Sequence, residues 1–592
     1  MMATQMPSRP GAAPLGAGIR RRRAALSGVS LPVAATIGLA PLLVVLVLRL
    51  PLINQLNYAD AWFYSSYAWV PKHDFAIFGW NYFSVRFPPI LAIGAFQRVF
   101  GAGDGYVILR YLLAVACGSS IYLCVRRFAS VRIALAASVL LYLDPFFSRM
   151  LLWDYSGFLE VAAGVVGVAL WYWSDDGRLL ATVLSGIALS IAVFANALFG
   201  TLLVVLLLVE AVDAVRGGRH GVLRYLARLF VCAGCAVLVF SLGYLSYVKI
   251  LGSLGPYDLL RPTIEFFGEN SQKSAPYQHT INSWLLHEPR VWAPVVLSFA
   301  LLVTLRGRLL GRGVAARIAQ LCIAYTAFLW LYRLLVVSAV IEQWFAYSLT
   351  VVVIVPAAAV LLNEICRDRA RAMRALLAPC IAFALAAILT RDLTGPAGDV
   401  YEQLSLHSWL VVALIAVGLL AALLGALRSR LQLVGLTALA AVLALMSFAP
   451  SVLDGRGATG IFVTNGAQEW TAYKAAQRFA DIVQNYDSLS HRVFLWFPGE
   501  FGYVSLTWTD LPQDADTLNE PGVPEALGAM TPLAHARLSL PNVKYVMILS
   551  PSTRELAVAR EALASGGFPA VLVRSGELAK NSLSYALVEL AR

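Results

Sequence analysis

Long apolar runs alternate with short polar connections between residues 30 and 449 of the chain. A hydrocarbon core about 30 Å thick needs about 20 apolar residues in each helix that crosses it, and these runs have that length. The pattern therefore predicts about thirteen transmembrane helices. The predicted spans lie near residues 30–52, 105–124, 130–147, 157–175, 180–196, 198–215, 223–249, 291–305, 315–338, 346–364, 375–391, 407–427 and 431–449.

The pattern changes after residue 450, where helix-like and strand-like runs alternate as in a small layered α/β domain. The predicted helices are 466–485 and 552–566, and the predicted strands are 492–498, 544–550, 569–574 and 584–590. The fold class is thus a polytopic α-helical membrane protein with a C-terminal α/β domain. We predict three parts: a disordered basic segment (1–29), the transmembrane domain (30–449) and the α/β domain (450–592).

Charge along the chain predicts how these helices are oriented. Lys and Arg of short loops stay on the cytoplasmic side, and the run from Arg20 to Arg23 precedes the first span, with every second loop basic thereafter. The N-terminus is then inside and, after an odd number of spans, the C-terminal domain is outside the cytoplasmic (inner) membrane. The loops 53–104, 148–156 and 250–290 face the same exterior side.

Composition supports a membrane protein and excludes a nucleic-acid partner. The chain is 59% hydrophobic and 14% charged, with a mean hydropathy of +0.71. The net charge of the whole chain is +12. The C-terminal part from residue 450 has a net charge of −3, so the net charge of the part before it is +15. The basic charge therefore follows membrane topology, and its predicted partners are the anionic membrane lipids of the cytoplasmic leaflet.

The first exterior loop begins with NYADAWFYSSYAW (57–69), in which a carboxylate lies among six aromatic rings. Asp60 beside rings that exclude water is a candidate general base, and Trp62 and Tyr64 are candidate substrate contacts. Two simpler interpretations remain open. The rings could form an aromatic belt at the lipid headgroups, and Asp60 could cap the helix that follows.

A second acidic stretch precedes the fourth predicted span. Asp154 lies in it, with Arg149 five residues earlier on the same predicted exterior side. An arginine there runs against the positive-inside rule, so we expect it to meet an anion such as phosphate. Asp154 could instead be an N-cap, and Asp144 before Pro145 is predicted to end a helix.

These motifs resemble those of membrane-embedded glycosyltransferases of the C-type fold, in particular protein O-mannosyltransferases and the lipid A aminoarabinose transferase. The likeness rests on Asp60 in YADAWFY, on RFPP (86–89) in a large first exterior loop, and on SRMLLWD (148–154) before the fourth span. It extends over roughly residues 30–200.

The resemblance implies transfer of one sugar from a polyprenyl-phosphate donor to an exterior acceptor, with inversion and with Asp60 as the base. Asp154 would hold the acceptor or a metal, and Arg86 and Arg149 would offset charge on the leaving phosphate. No cofactor is required by these motifs, and a divalent cation on Asp60 and Asp154 is left open, since Ala61 stands where many relatives have a second acid.

Two further segments contribute predicted substrate contacts. Arg261 and His279 lie in the loop 250–290, whose mixed charges and prolines suggest a lid over the carrier. Relatives carry an Arg-Tyr before a late helix, and the comparable stretch 341–356 has no arginine, so Glu342 is a candidate substitute.

Two other functions remain open at this stage. A transporter or flippase of lipid-linked saccharide is favoured by one feature, the break at Asn196 within an apolar run. A non-catalytic envelope-assembly protein would use the exterior domain to bind polymer. The sequence does not specify the sugar, and the acceptor could be an envelope glycan, a lipid or a protein.

Overall fold

The computed structural model of the 592-residue chain describes residues 30–48, 59–152, 157–253, 255, 259–262, 264–265, 293–305, 308–336, 348–367, 466–497, 516–518, 530–579 and 583–591. The helices up to residue 367 are α1 (Leu31–Leu48), α2 (Ala59–Trp69), α3 (Pro71–Phe78), α4 (Phe87–Phe100), α5 (Ala102–Val125), α6 (Val131–Leu143), α7 (Pro145–Leu152), α8 (Gly157–Trp173), α9 (Leu179–Ala195), α10 (Phe199–Arg216), α11 (Gly218–Leu251), α12 (Ala293–Thr304), α13 (Val314–Val336) and α14 (Val351–Arg367).

The apolar helices follow the predicted spans closely. Among the described residues, three helices are long and apolar enough to cross a membrane, or four if a bent pair is one span. The three are Ala102–Val125, Gly218–Leu251 and Val314–Tyr332. The predicted segment 1–29 and the predicted spans 375–391, 407–427 and 431–449 lie outside the described residues. The total of thirteen and the orientation therefore stay predictions.

The third predicted span ends earlier than expected, at Leu143 rather than at residue 147. Asp144 is the reason, because its Oδ1 accepts hydrogen bonds from the backbone N–H groups of Phe146 (2.8 Å) and Phe147 (3.1 Å). These bonds begin α7, which is bent by 59° from α6. The expectation that Asp144 ends a helix is met, and the same side chain also caps the next one.

Glycines allow close contact between neighbouring helices. A Cβ at Gly118 of α5 would lie 1.8 Å from the hydroxyl of Tyr142 in α6. That hydroxyl is within hydrogen-bonding distance of the carbonyl oxygens of Ile37 (3.3 Å) and Ala114 (3.1 Å), so the ring has little freedom to move. The contact joins α1, α5 and α6.

We expect Gly118→Ala to destabilise the protein by about 1–3 kcal/mol, because an added methyl forces the buried Tyr142 ring out of place. The measurement is the thermal unfolding midpoint in detergent. Gly234→Ala in α11 is the matched control, since a Cβ there meets no described atom within 4 Å. Equal midpoints for Gly118→Ala and wild type would contradict this contact.

Buried ion pairs join the helices at the end where α8 finishes and α9 begins. Arg317 of α13 is 3% exposed and contacts Asp175 (2.7 Å) and Glu210 (2.8 Å), and Arg228 of α11 lies 3.6 Å from both acids. The positive-inside pattern predicts that basic residues between spans face anionic lipid. Arg317 differs from this expectation, because its charge is balanced within the protein by the buried Glu210 and the partly exposed Asp175.

The C-terminal elements are α15 (Gly466–Val483), β1 (Arg492–Trp496), β2 (Asp516–Thr517), α16 (Pro532–Leu538), β3 (Val543–Ser550), α17 (Thr553–Ser565), β4 (Ala570–Ala579) and β5 (Leu583–Leu590). The strands form one sheet in the order β2-β1-β3-β5-β4. β1 is parallel to β2 and β3, whereas β5 is antiparallel to β3 and β4.

The two faces of this sheet are covered by different helices. Residues of α16 and α17 bury Phe494, Trp496 and Ile548 on one side. On the other side α15 covers Leu495, Met547 and Leu587, and its own residues continue into the core of the first half of the chain. The predicted small α/β domain is present, and α15 connects it to the helices near residues 59–106.

Candidate functional site

Helix α2 carries the segment that the sequence marks as chemically important. Asp60 is its second residue, and its carboxylate lies outside the described part of the structure. Trp62, Tyr64 and Tyr67 are at most 1% exposed, so these rings are enclosed by protein rather than forming a belt against lipid headgroups. Tyr64 lies one helical turn after Asp60 and therefore on the same face of α2.

Side-chain hydrogen bonds hold the loop between α3 and α4 in one conformation. The Asn81 Oδ1 accepts hydrogen bonds from the N–H groups of Phe83 (2.9 Å) and Ser84 (3.0 Å), and its Nδ2 donates to the Tyr67 hydroxyl (2.8 Å). Tyr247 of α11 donates to the Ser84 carbonyl (2.7 Å). Short side chains that bond their own backbone hold such loops in one conformation, and this loop leads directly into Arg86.

Arg86 is buried at the start of α4. It is 4% exposed, its Nη1 donates to the Tyr64 hydroxyl (2.8 Å), and its guanidinium lies 3.8 Å from the centre of the Tyr82 ring. Arg86 and Tyr64, both predicted from sequence as substrate contacts, are therefore neighbours. A guanidinium oriented by a hydroxyl and a ring keeps a fixed fork of donors, which suits phosphate or carboxylate oxygens.

An acid faces this arginine from the start of α8. Glu160 is 1% exposed, and its Oε2 accepts a hydrogen bond from Nδ2 of Asn196 (2.9 Å) at the end of α9. Its Oε1 has no hydrogen-bond partner among the described residues. The positive charge of Arg86 acts on this carboxylate. A buried glutamate of this kind is costly unless polar groups surround it.

Two further hydroxyls complete the group. Tyr325 of α13 is 1% exposed, hydrogen-bonds Thr201 of α10, and is close enough to Glu160 to interact with it electrostatically. We call the set Tyr64, Tyr82, Arg86, Glu160, Asn196, Thr201 and Tyr325 the polar cluster. Its members come from α2, the loop before α4, α8, α10, α13 and the junction of α9 and α10, so several helices end or begin around it.

The chemical capacity of the polar cluster follows from its composition. One guanidinium can bind an anion, and several hydroxyls and an amide can hydrogen-bond sugar hydroxyl groups. Because the cluster is enclosed by protein, its electrostatic interactions are stronger than the same interactions in water. It combines the groups needed to hold a phosphorylated, hydroxyl-rich molecule.

Other predicted residues are distributed differently. Trp62 contacts the C-terminal part, its ring stacked 6.2 Å from that of Tyr473. Arg261 is exposed and its Nε donates to Glu265 (2.7 Å) within the same loop. Arg149 belongs to α7, but its side chain lies outside the described part. Outside the described residues altogether are Asp154, His279 and Glu342.

Whether the protein binds a divalent cation depends on residues that the structure does not describe. Within the described ranges, no group of three or more His, Cys, Asp or Glu side chains could hold a metal ion. The two acids named for a metal, Asp60 and Asp154, have carboxylates outside those ranges. A divalent cation therefore stays an open prediction.

Of the seven members of the polar cluster, the sequence predicted only Tyr64 and Arg86 as site residues. Asn196 was noted only as a break between spans, and no role was predicted for the other four, Tyr82, Glu160, Thr201 and Tyr325. A signal did exist for Asn196 and Glu160, because a polar side chain within an apolar run is costly unless a partner meets it inside the protein.

Comparisons with known proteins find similarity in structure but not in sequence. No family model matches the chain, and no curated protein matches it. The solved structure of ArnT from Cupriavidus metallidurans in the apo state is similar over 97% of this chain and 98% of that one, at 15% identity and a TM-score of 0.43.

Two other solved structures are similar at the same level. The oligosaccharyltransferase of Archaeoglobus fulgidus matches 87% of this chain and 69% of its own, at 15% identity and a TM-score of 0.42. The mycobacterial arabinofuranosyltransferase AftD matches 95% of this chain but 40% of its own, at 13% identity and a TM-score of 0.43. At such TM-scores no residue role is transferred, and function is argued from this chain's own contacts.

Proposed function

We propose that the protein is a membrane glycosyltransferase that moves one sugar from a polyprenyl-phosphate donor to an acceptor hydroxyl on the exterior side. The observation that carries this proposal is the placement of Arg86. The buried guanidinium of Arg86 is hydrogen-bonded to Tyr64 and stacked on Tyr82. Tyr64 lies in α2, one helical turn after Asp60. An anion-binding group is thereby combined with a candidate base.

The reaction balances with these two groups. Asp60 takes the proton of the acceptor hydroxyl as its oxygen attacks the anomeric carbon of the donor. The bond between that carbon and the phosphate oxygen breaks on the opposite face, so the configuration inverts and polyprenyl phosphate leaves. Arg86 binds the phosphate and offsets the negative charge that grows on it during bond cleavage.

The remaining members of the polar cluster support the arginine and the sugar. Glu160 interacts electrostatically with Arg86, and its Oε2 accepts a hydrogen bond from Asn196, which orients the carboxyl group. Tyr325 and Thr201 supply further hydroxyls, which are hydrogen-bonded to each other within electrostatic range of Glu160. In this proposal Asp154 and Arg149 keep the roles that the sequence resemblance implies: Asp154 holds the acceptor or a metal, and Arg149 offsets charge on the leaving phosphate.

The test is mass spectrometry of lipids that copurify with the wild type and with Asp60→Asn, followed by incubation with a panel of polyprenyl-phosphate sugars. Release of free polyprenyl phosphate by the wild type alone is the expected result, and it would identify both donor and base. Transport of labelled carrier across liposomes without its consumption would favour the flippase. Saccharide binding with neither turnover nor transport would favour the assembly protein.

A further inference from the structure

The C-terminal part contacts the first loop through a buried tyrosine. Tyr473 of α15 is fully buried, and its ring lies 6.2 Å from Trp62, 5.1 Å from Trp69 and 5.9 Å from Tyr106. Gln97 of α4 bridges the contact, since its Nε2 donates to the Tyr473 hydroxyl and its Oε1 accepts from Nε1 of Trp69 (2.5 Å). The tyrosine therefore touches three separate helices of the first half.

A second contact between the same two parts is ionic. His73 of α3 is 7% exposed and lies between two carboxylates, with Nδ1 3.3 Å from Asp74 and Nε2 3.2 Å from Asp487. The Oδ1 of Asp487 accepts a hydrogen bond from the backbone N–H of Val493 (2.8 Å), and Arg492 contacts the same Oδ2 that faces His73 (3.3 Å). His73 and Asp487 are 414 positions apart in the chain.

The two contacts act on the same short piece of chain. Tyr473 contacts α2 near both of its ends, at Trp62 and at Trp69, and Asp487 contacts α3 through His73. Only Val70 separates α2 from α3. The helix that carries Asp60 and Tyr64 is therefore held both by its neighbours in sequence and by the C-terminal part.

We propose that Tyr473 and Asp487 of the C-terminal part, together with His73, are positioning residues that hold α2 and hence Asp60 in the geometry needed for transfer. The positioning role rests on the proposed function, whereas the contact itself does not. Misplacing a reacting group by about 1 Å can cost roughly 100-fold in rate, so a loosened α2 should lower turnover even with every catalytic group present.

The chemistry of both contacts is suited to holding α2 and α3 against the C-terminal part. A doubly protonated imidazole donates from both nitrogens and so serves both carboxylates at once. Burial raises the pKa of Asp487, and the hydrogen bonds from His73 and Val493 together with the charge of Arg492 oppose this rise. Burial also raises the pKa of Tyr473 to about 12, so its hydroxyl stays neutral at physiological pH.

The experiment compares full-length Tyr473→Ala, Asp487→Asn and His73→Gln with two matched controls in the same part of the chain. Tyr486→Phe alters a tyrosine whose ring contacts Tyr545 within the C-terminal part, and Asp481→Asn removes an exposed carboxylate of α15. Hydrogen exchange of peptides covering residues 59–78 reports on α2 and α3 without any substrate. Turnover of a polyprenyl-phosphate sugar is then measured as separate kcat and KM values.

The expected result has two parts. Exchange in 59–78 rises in the three variants and not in the controls, because the segment opens more often. In the same three variants kcat falls by about 10-fold or more while KM for the carrier changes little, because placement is lost and binding is kept. Combining His73→Gln with Asp487→Asn adds little beyond the larger single effect, since both remove one contact.

Two results would overturn the proposal. Unchanged exchange in 59–78 means that the C-terminal part does not hold α2. Raised exchange with wild-type kcat means that it holds α2 without positioning the reaction. A wild type with no turnover on any carrier would overturn the proposed function and the positioning role with it, while exchange would still decide the contact.

Discussion

Asp60→Asn should lower sugar transfer by about 10²–10⁴-fold, the usual contribution of a positioned general base, while leaving folding and carrier binding unchanged. The amide is nearly the same size as the carboxylate but cannot accept the proton of the acceptor hydroxyl at neutral pH. Release of polyprenyl phosphate by purified protein is the measurement, with carrier affinity determined separately on the same preparation.

Asp104→Asn is the matched control for this variant. Asp104 is an exposed aspartate in the first turn of α5, at the end of the same predicted exterior loop, and it lies outside the polar cluster. It should transfer sugar at the wild-type rate. Normal turnover by Asp60→Asn would contradict the mechanism even if the protein proved to be a transferase, and Asp60 would then be an acidic residue in the first turn of α2 without a part in the reaction.

Arg86→Gln should weaken binding of polyprenyl phosphate by about 10- to 100-fold, because the equivalent of one charge-assisted hydrogen bond of about 1.5–3 kcal/mol is lost. Transfer should fall further than binding, since charge on the phosphate grows as the bond to the sugar breaks. The measurements are carrier affinity in detergent and turnover at saturating carrier.

Stability must be followed in parallel, because Arg86 and Glu160 are both buried and interact electrostatically, so removing one changes the surroundings of the other. The double variant Arg86→Gln with Glu160→Gln removes both ionisable groups and should unfold closer to the wild-type midpoint without recovering carrier affinity. Arg98→Gln, at the exposed end of the same helix, is the control. Wild-type carrier affinity in a folded Arg86→Gln protein would exclude Arg86 from the phosphate site.

Local patterns predicted most of the secondary structure. The runs 105–124 and 157–175 correspond to α5 and α8, and the strand-like run 544–550 corresponds to β3. These agreements arise because the alternation or continuity of apolar residues depends only on neighbouring positions. The third span was placed too long because the residues past Leu143 stay apolar while the Asp144 side chain starts a new helix.

The candidate site was predictable only in part. Arg86 and Tyr64 were chosen for their residue types near Asp60, and the structure makes them hydrogen-bond partners. Asn196 and Tyr325 were not predicted as site residues, since their helices are adjacent only after packing. A polar residue in an apolar helix reveals that a partner is needed, but not which helix supplies it.

Local patterns in the sequence were enough to predict the class of the protein, the positions of the described long apolar helices and four of the five strands of the C-terminal sheet. Hydrophobic periodicity, Pro and Gly placement and the charge of short loops are local quantities, so they can be read without a fold. The tertiary structure alone decided that Glu160 meets Asn196, that Arg317 is paired inside the protein, and that His73 bonds Asp487. Each of these contacts joins distant segments, and their partners are selected by the packing of whole helices rather than by any pattern within one of them.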